Sequence, residues 1–127
     1  TIGDHIEFEY LGYQEPYKIR EILKNVDYMI LPSSSEGFGL VYLESIACGV
    51  PVILPQHLPI VHETNLLTDE NSILLDDEST QSIAKVLAML DKCKFDREIV
   101  TNSIKEFDWS NIAAKYISYI EQLTKNS

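Results

Sequence analysis

Two apolar runs, one ending Tyr28-Met29-Ile30-Leu31 and the other Val50-Pro51-Val52-Ile53-Leu54, stand either side of a polar, glycine-containing turn and a helix-periodic segment. Strands with no polar face are covered on both sides, as in parallel sheets flanked by helices. Between them, Ser33 to Gly39 reads as a loop. Leu40, Val41, Leu43, Ile46 and Ala47 then form the buried stripe of a helix, Gly49 supplies its left-handed cap, and Pro51 lies just beyond. Strand, loop, helix and strand make a βαβ unit, which commits the chain to an α/β fold with a parallel sheet and right-handed crossovers.

The flanking sequence extends this pattern. Residues 6–11 alternate apolar and acidic, which predicts a strand with one solvated face near a sheet edge. Gly12 breaks it, and Pro16 opens a helix with Ile19, Ile22, Leu23 and Val26 at helical spacing. Beyond the strand that ends at Pro55, residues 56–71 are polar and irregular, with one helical turn around Ile60 to Thr64, and Ser72 to Leu75 is a short strand. The acidic Asp76-Asp77-Glu78-Ser79 suits the start of a helix carrying Ile83, Val86, Leu87 and Leu90. A further helix is expected over roughly 96–105. Asp108-Trp109-Ser110-Asn111 caps a last one bearing Ile112, Tyr116, Ile117, Ile120 and Leu123. The expected order is β-α-β-α-β-β-α-α-α within one domain of 127 residues. The chain opens at Thr1 without a methionine and enters a strand almost at once, so the expectation is a piece of something longer.

Composition narrows the function classes. Ten basic against twenty acidic residues give a net charge of −10, which argues against nucleic-acid binding and against a basic membrane-surface patch. No apolar stretch approaches the roughly 20 residues of a membrane span. Cys48 and Cys93 are isolated and without metal-like spacing, consistent with a reducing, cytoplasmic setting. His62-Glu63 has no second histidine to complete a zinc motif, so no metal site is expected.

The candidate chemistry lies at the loop. Glu36 and Glu44, eight residues apart, can accept hydrogen bonds from sugar hydroxyls, each worth about 1.5–3 kcal/mol. The alternative is that Glu36 caps the helix and Glu44 is solvated. Because Leu43 and Ile46 flank Glu44, partial burial is expected. Gly37 and Gly39 allow close backbone approach to a ligand, or simply a sharp turn. His57 and His62 sit in a loop past a strand end, where substrate contacts are common, and His5 reads as a surface residue. One absence weighs more: no Lys or Arg occurs from Asn25 to Ala84. A helix N-terminus offsets only about half a charge, so a diphosphate bound here needs cations from elsewhere.

These residues resemble the donor-binding domain of GT-B-fold retaining glycosyltransferases, the "glycosyl transferases group 1" (family 4-like) enzymes. The resemblance is carried by Val26-Asp27-Tyr28-Met29-Ile30-Leu31-Pro32-Ser33, by Glu36-Gly37-Phe38-Gly39-Leu40 with Glu44 completing an E-x7-E pattern, and by Ala47-Cys48-Gly49-Val50-Pro51-Val52-Ile53. Ile6 to Tyr13, His62-Glu63 and Phe107-Asp108-Trp109-Ser110 extend it along the chain, which departs from the pattern at Pro59 and Ser72, where glycines are usual. The resemblance implies a Rossmann-like parallel sheet incomplete at its N-terminal side, with residues 1–127 forming the C-terminal part of the domain. It implies that Glu36 is catalytic and contacts the transferred sugar, that Ser35 and the amides of Gly37, Phe38, Gly39 and Leu40 meet the donor, and that Glu44 holds the ribose. His57, His62 and Glu63, in the loop past the strand end, are the candidates for a substrate loop. It also places the diphosphate-binding Arg/Lys pair upstream of this segment.

The function so implied is hexosyl transfer, with retention, from a nucleotide-diphosphate sugar to a saccharide or glycolipid acceptor in polysaccharide or glycolipid assembly. It needs no cofactor and no obligatory metal. The full enzyme is expected in the cytoplasm or at the inner membrane face, associating peripherally through the missing domain, and this segment alone is expected to be inactive. The alternative is a non-catalytic partner-binding or structural module that self-associates through exposed strand edges. A sugar-nucleotide epimerase of related fold needs an acid/base set between two domains that these residues do not supply.

Overall fold

The computed structural model describes residues 7–32, 39–105, 117–118 and 120–125, and structural statements below concern these. The elements run α1 (Pro16–Leu23), β1 (Met29–Ile30), α2 (Leu40–Ala47), β2 (Val52–Pro55), α3 (Pro59–Glu63), β3 (Ser72–Leu75), α4 (Thr80–Met89), a 3₁₀ turn (Leu90–Lys92) and α5 (Arg97–Asn102). The three strands form one parallel sheet in the order β1-β2-β3. Met29 is level with Val52 and Ile30 with Ile53, while Val52–Pro55 runs alongside Ser72–Leu75.

The central strand β2 is buried at every position. Its side chains alternate between two cores. Val52 and Leu54 join Tyr42, Leu43 and Ile46 of α2, Leu58, Ile60 of α3, Val100 of α5 and Ile104. Ile53 joins Leu75 and Val86 on the other face, under α4. A strand used on both faces explains why the sequence here is an uninterrupted apolar run.

Helix ends are fixed by local chemistry. The amide of Gly49 donates to the Ile46 carbonyl at 2.9 Å and that of Val50 to the Ser45 carbonyl at 3.0 Å. That is the Schellman arrangement, and Gly49 takes the left-handed conformation it requires, φ +84°. Ser45, fully buried, returns a bond from Oγ to the Val50 carbonyl at 3.0 Å. The Asp96 carboxylate caps α5 by accepting from the amides of Glu98 and Ile99. The Arg97 guanidinium donates to the Val26 carbonyl, tying α5 to the approach to β1.

Several expectations are corrected. Residues 7–11 form no strand, and Phe8 (86%) and Tyr10 (84%) are exposed. Alternation alone supplies no partner strand, and residues 7–11 pair with none of the three described strands. In α2, Val41, Glu44 and Ala47 are exposed, while Tyr42 and Ser45 are buried with Leu43 and Ile46. Helix α1 buries none of its residues fully, and Ile19 and Leu87 are exposed. Helix α5 is shorter than expected, with Asp96 outside it as cap. The expected last helix is seen at 117–118 and 120–125, where Ile117, Ile120 and Leu123 are exposed. Its expected cap, Ile112 and Tyr116 lie outside the described residues, as does His5.

A Cβ at Gly49 would lie 3.0 Å from Thr101 Oγ1 and 3.2 Å from the Arg97 carbonyl oxygen, on top of the left-handed strain. Gly49→Ala is expected to destabilise the fold by about 1–2 kcal/mol or more. The denaturant midpoint should fall with the m-value unchanged, whereas an unchanged midpoint would show that the cap is dispensable.

Candidate functional site

In parallel α/β sheets ligands bind outside the carboxyl ends of the strands. Here that end gathers Leu31-Pro32 after β1, the start of α2, the turn and α3 after β2, and the segment after β3. Helix α2 starts at Gly39 with φ +82° and ψ 28°, a cap position that carries no side chain of its own. Its leading amides can serve an anion or a hydroxyl-bearing ligand.

Gly39 is required on two counts. Its conformation is left-handed, and an added Cβ would sit 2.9 Å from Ile60 Cδ1 and 3.2 Å from Ile60 Cβ. Helix α3 thus presses its one buried residue, Ile60, against the backbone that opens α2. The sequence marks Gly39 but not Ile60, whose role comes from a packing contact across the strand ends.

The turns after β2 and β3 are zipped together. The Gln56 amide donates to the Leu75 carbonyl at 2.9 Å, and its side-chain Nε2 donates to the Asp76 carbonyl at 3.2 Å. His57 Nε2 lies 3.0 Å from Glu78 Oε1 with both side chains partly exposed. His57 is therefore engaged with the neighbouring turn. His62 and Glu63 are exposed on the last turn of α3. Glu44 is exposed on the outer face of α2, and Leu40 is half-buried in its first turn. Ser35, Glu36, Gly37 and Phe38 lie outside the described residues.

The loop from α3 to β3 is organised by a fully buried asparagine that the sequence reading passes over. Asn71 Nδ2 donates to the Leu66 carbonyl and to Ser103 Oγ, both at 2.9 Å, and Oδ1 accepts from the Thr68 amide at 2.9 Å. Its position closing the Thr68-Asp69-Glu70 turn was the available signal, because asparagine side chains mimic backbone in such turns. Nearby, Thr64 Oγ1 donates to the Ile60 carbonyl at 2.6 Å and accepts from the Leu66 amide.

The electrostatics of this end are acidic. Glu44, Glu63, Asp76 and Asp77 are exposed here, and Lys85 reaches Asp76 across 3.8 Å in an exposed, screened pair. Hydrogen bonds from Ser79 and then Ser82 hold the Asp77 carboxyl below its ordinary 3.8. Its Oδ1 accepts from the Ser79 amide and Ser82 Oγ, both at 2.8 Å. Ser79 itself caps α4 by accepting from the Ser82 amide. Among the described residues, no group of three or more His, Cys, Asp or Glu is placed to hold a metal ion. No helix among them is long and apolar enough to cross a membrane.

At the opposite end of the sheet a cavity of about 640 Å³ is lined by Asp27, Tyr28, Gly49, Pro51, Cys93 and Arg97, among others. Burial first, then Cys93, Asp27 and Asp91, raises the Tyr28 phenol above its ordinary 10.0, which keeps it neutral. Its ring meets Phe95 edge-on at 5.8 Å.

With this geometry in place, the comparisons with known proteins are decisive for the family. The family model described as "Glycosyl transferases group 1" matches residues 2–107. The chain belongs to the glycosyl transferases group 1 family. An uncharacterised glycosyltransferase of Methanocaldococcus jannaschii is 28% identical over 122 residues, covering 92% of this chain and 31% of that protein. The O-antigen chain mannosyltransferase B of Escherichia coli is 28% identical over 121 residues, covering 86% and 29% respectively. The chain thus spans about three tenths of the length of these curated relatives. Among solved structures, sucrose-phosphate synthase from Thermosynechococcus elongatus superimposes with a TM-score of 0.53 at 24% identity, covering 84% of this chain and 27% of that one. That likeness establishes the fold, a GT-B-type Rossmann-like domain, in agreement with the three parallel strands described above.

Two outcomes test this description of the group 1 domain. Gly39→Ala should destabilise by about 1–2 kcal/mol through left-handed strain, with the Ile60 contact adding to it. Pairing it with Ile60→Val should recover part of the loss if that contact contributes. A depressed folded-state pKa at Asp77 means that its contribution is present above 3.8 and is lost as the pH falls through the lower folded value. Thermal melts should therefore show wild type above Asp77→Asn at neutral pH, with the gap closing below pH 3.8. A gap independent of pH would contradict the assignment.

Proposed function

We propose that this chain is the C-terminal part of the donor-binding domain of a retaining glycosyltransferase, which transfers a hexose from a nucleotide-diphosphate sugar to a saccharide or glycolipid acceptor. The observation that carries the reading is the start of α2. The helix opens on a left-handed glycine at the carboxyl end of a parallel strand, with Ile60 packed so close that only a bare backbone fits there. Membership of the group 1 family supports it, and an O-antigen mannosyltransferase among the relatives supports a role in surface polysaccharide assembly.

In this reading Glu36 accepts hydrogen bonds from the hydroxyls of the transferred sugar near the reacting carbon. The amides of Gly37, Phe38, Gly39 and Leu40, with Ser35, meet the sugar or the diphosphate. Glu44, exposed one turn into α2, has its carboxylate free to accept from both ribose hydroxyls. His62 and Glu63, exposed on α3, contribute to the substrate loop, whereas His57 holds that loop through Glu78. The departing diphosphate is stabilised by the α2 dipole and by cations supplied from outside the stretch between Lys24 and Lys85. Transfer proceeds with retention and without an obligatory metal, in the cytoplasm or at the inner membrane face.

A non-catalytic module is the second reading. It is favoured by the apolar surface left open on this segment, including Phe8, Tyr10 and, on β1, Ile30 at 37% exposure. The remaining strands of a donor domain would cover β1 equally well.

In an enzyme carrying this segment, Glu36→Ala should lower kcat/KM by about a hundredfold or more, because the lost bonds are charge-assisted. Glu44→Gln should act mainly on donor affinity. Turnover by Glu36→Ala matching wild type would remove Glu36 from the mechanism and favour the non-catalytic module.

A further inference from the structure

Tyr42 is fully buried, yet its hydroxyl does not merely fill space in the core. It donates to the Leu31 carbonyl at 2.8 Å, across 11 residues of sequence. Leu31 is the last residue of the β1 run held to the sheet, through its amide to the Ile53 carbonyl at 3.2 Å. Tyr42 lies in the first turn of α2, and its own amide donates to the Gly39 carbonyl at 3.1 Å. One side chain therefore joins the point where the chain leaves the sheet to the point where it enters the helix.

β1 is only two residues long and lies at an edge of the sheet. Its hold on β2 consists of few bonds, among them Met29 to the Pro51 carbonyl and Leu31 to the Ile53 carbonyl. A tie from the strand end to a well-anchored helix matters more here than it would on a long central strand. Helix α2 is well anchored, by the Gly49 and Val50 amides and Ser45 at its far end and by Ile60 at its near end. A phenylalanine would fill the same apolar volume, so core packing alone does not account for a hydroxyl at this position. Buried tyrosines place their hydroxyl on a partner, and this partner is the carbonyl at the strand end, just ahead of residues 33–38.

We propose that Tyr42 is a positioning residue for the start of α2. Its hydroxyl fixes the separation and orientation of the strand end, Leu31-Pro32, and the helix start, Gly39-Leu40. The functional meaning rests on the donor-site reading above, but the mechanical claim does not.

The test is amide hydrogen exchange on this chain and on Tyr42→Phe, which keeps the ring and its packing. Loss of one such bond corresponds to about fivefold faster exchange. That increase is expected at the amides of Leu31 and residue 42, with Gly49 and Val50, at the other end of α2, unchanged. Equal acceleration at all four amides would reduce Tyr42 to a core residue and overturn the proposal, as would no change at any of them. Val100→Ala, a core truncation under α2, serves as the stability control and should accelerate all four together. A version extended upstream that is folded yet binds no nucleotide sugar would refute the donor-site reading and, with the local exchange pattern present, leave the clamp standing.

Discussion

Burial of β2 on both faces is the constraint from which the rest follows. With Val52 and Leu54 turned towards α2 and α5, and Ile53 towards α4, neither face tolerates water or an unpaired polar group. Helices must lie on both sides, and the strand's backbone groups must be paired by parallel neighbours, here β1 and β3. In such a layered arrangement backbone free to meet a ligand is found at the strand ends. The α2 start, the α3 turn and the zipped turns after β2 and β3 all meet at the carboxyl end for that reason.

At that end, the proposed site and the stability of the fold draw on the same atoms. Gly39 gives the backbone a conformation that other residues adopt only under strain, and Ile60 closes the space where a side chain would go. The outcome is a helix start held in place at Gly39 without a side chain of its own, the geometry on which the donor-site proposal rests. Asn71 does comparable work one loop away, its buried side chain bonding three polar groups so that the chain can return to β3 close to the candidate site. The acidic rim is the counterpart of this design. It suits hydroxyl-rich sugar and repels free phosphate, so a nucleotide diphosphate can be held here only with help from cations outside the Lys24 to Lys85 stretch.

The parts of this fold legible in the sequence are those set by local chemistry. The βαβ unit, the left-handed cap at Gly49, the strand Ser72–Leu75 and the helical turn after Pro59 all announce themselves through apolar runs, proline and glycine. What was hidden depends on partners distant in sequence. Residues 7–11 alternate like a strand, but alternation supplies no neighbouring edge. Helix α2 is apolar nearly all round, so hydropathy did not distinguish its buried face, Tyr42-Leu43 and Ser45-Ile46, from exposed Val41 and Ala47. Glu44, flanked by buried residues, was expected to be partly buried and is exposed, because two neighbours on a helix need not share its direction. For the candidate site, Gly39, Leu40, Glu44 and His57 can be nominated from the sequence, but the His57–Glu78 pair and the Ile60 contact arise only when separate strand ends are brought together.

The central claim is that the α2 start forms part of a nucleotide-sugar site completed by cations from outside this stretch. Its most direct test is calorimetric titration of a nucleoside diphosphate at low salt into this chain, and into a version extended upstream by about one hundred residues. The account predicts saturable binding by the longer version, lost on Gly39→Ala, and none by this chain alone. Absence of binding by both, each shown to be folded, would contradict it.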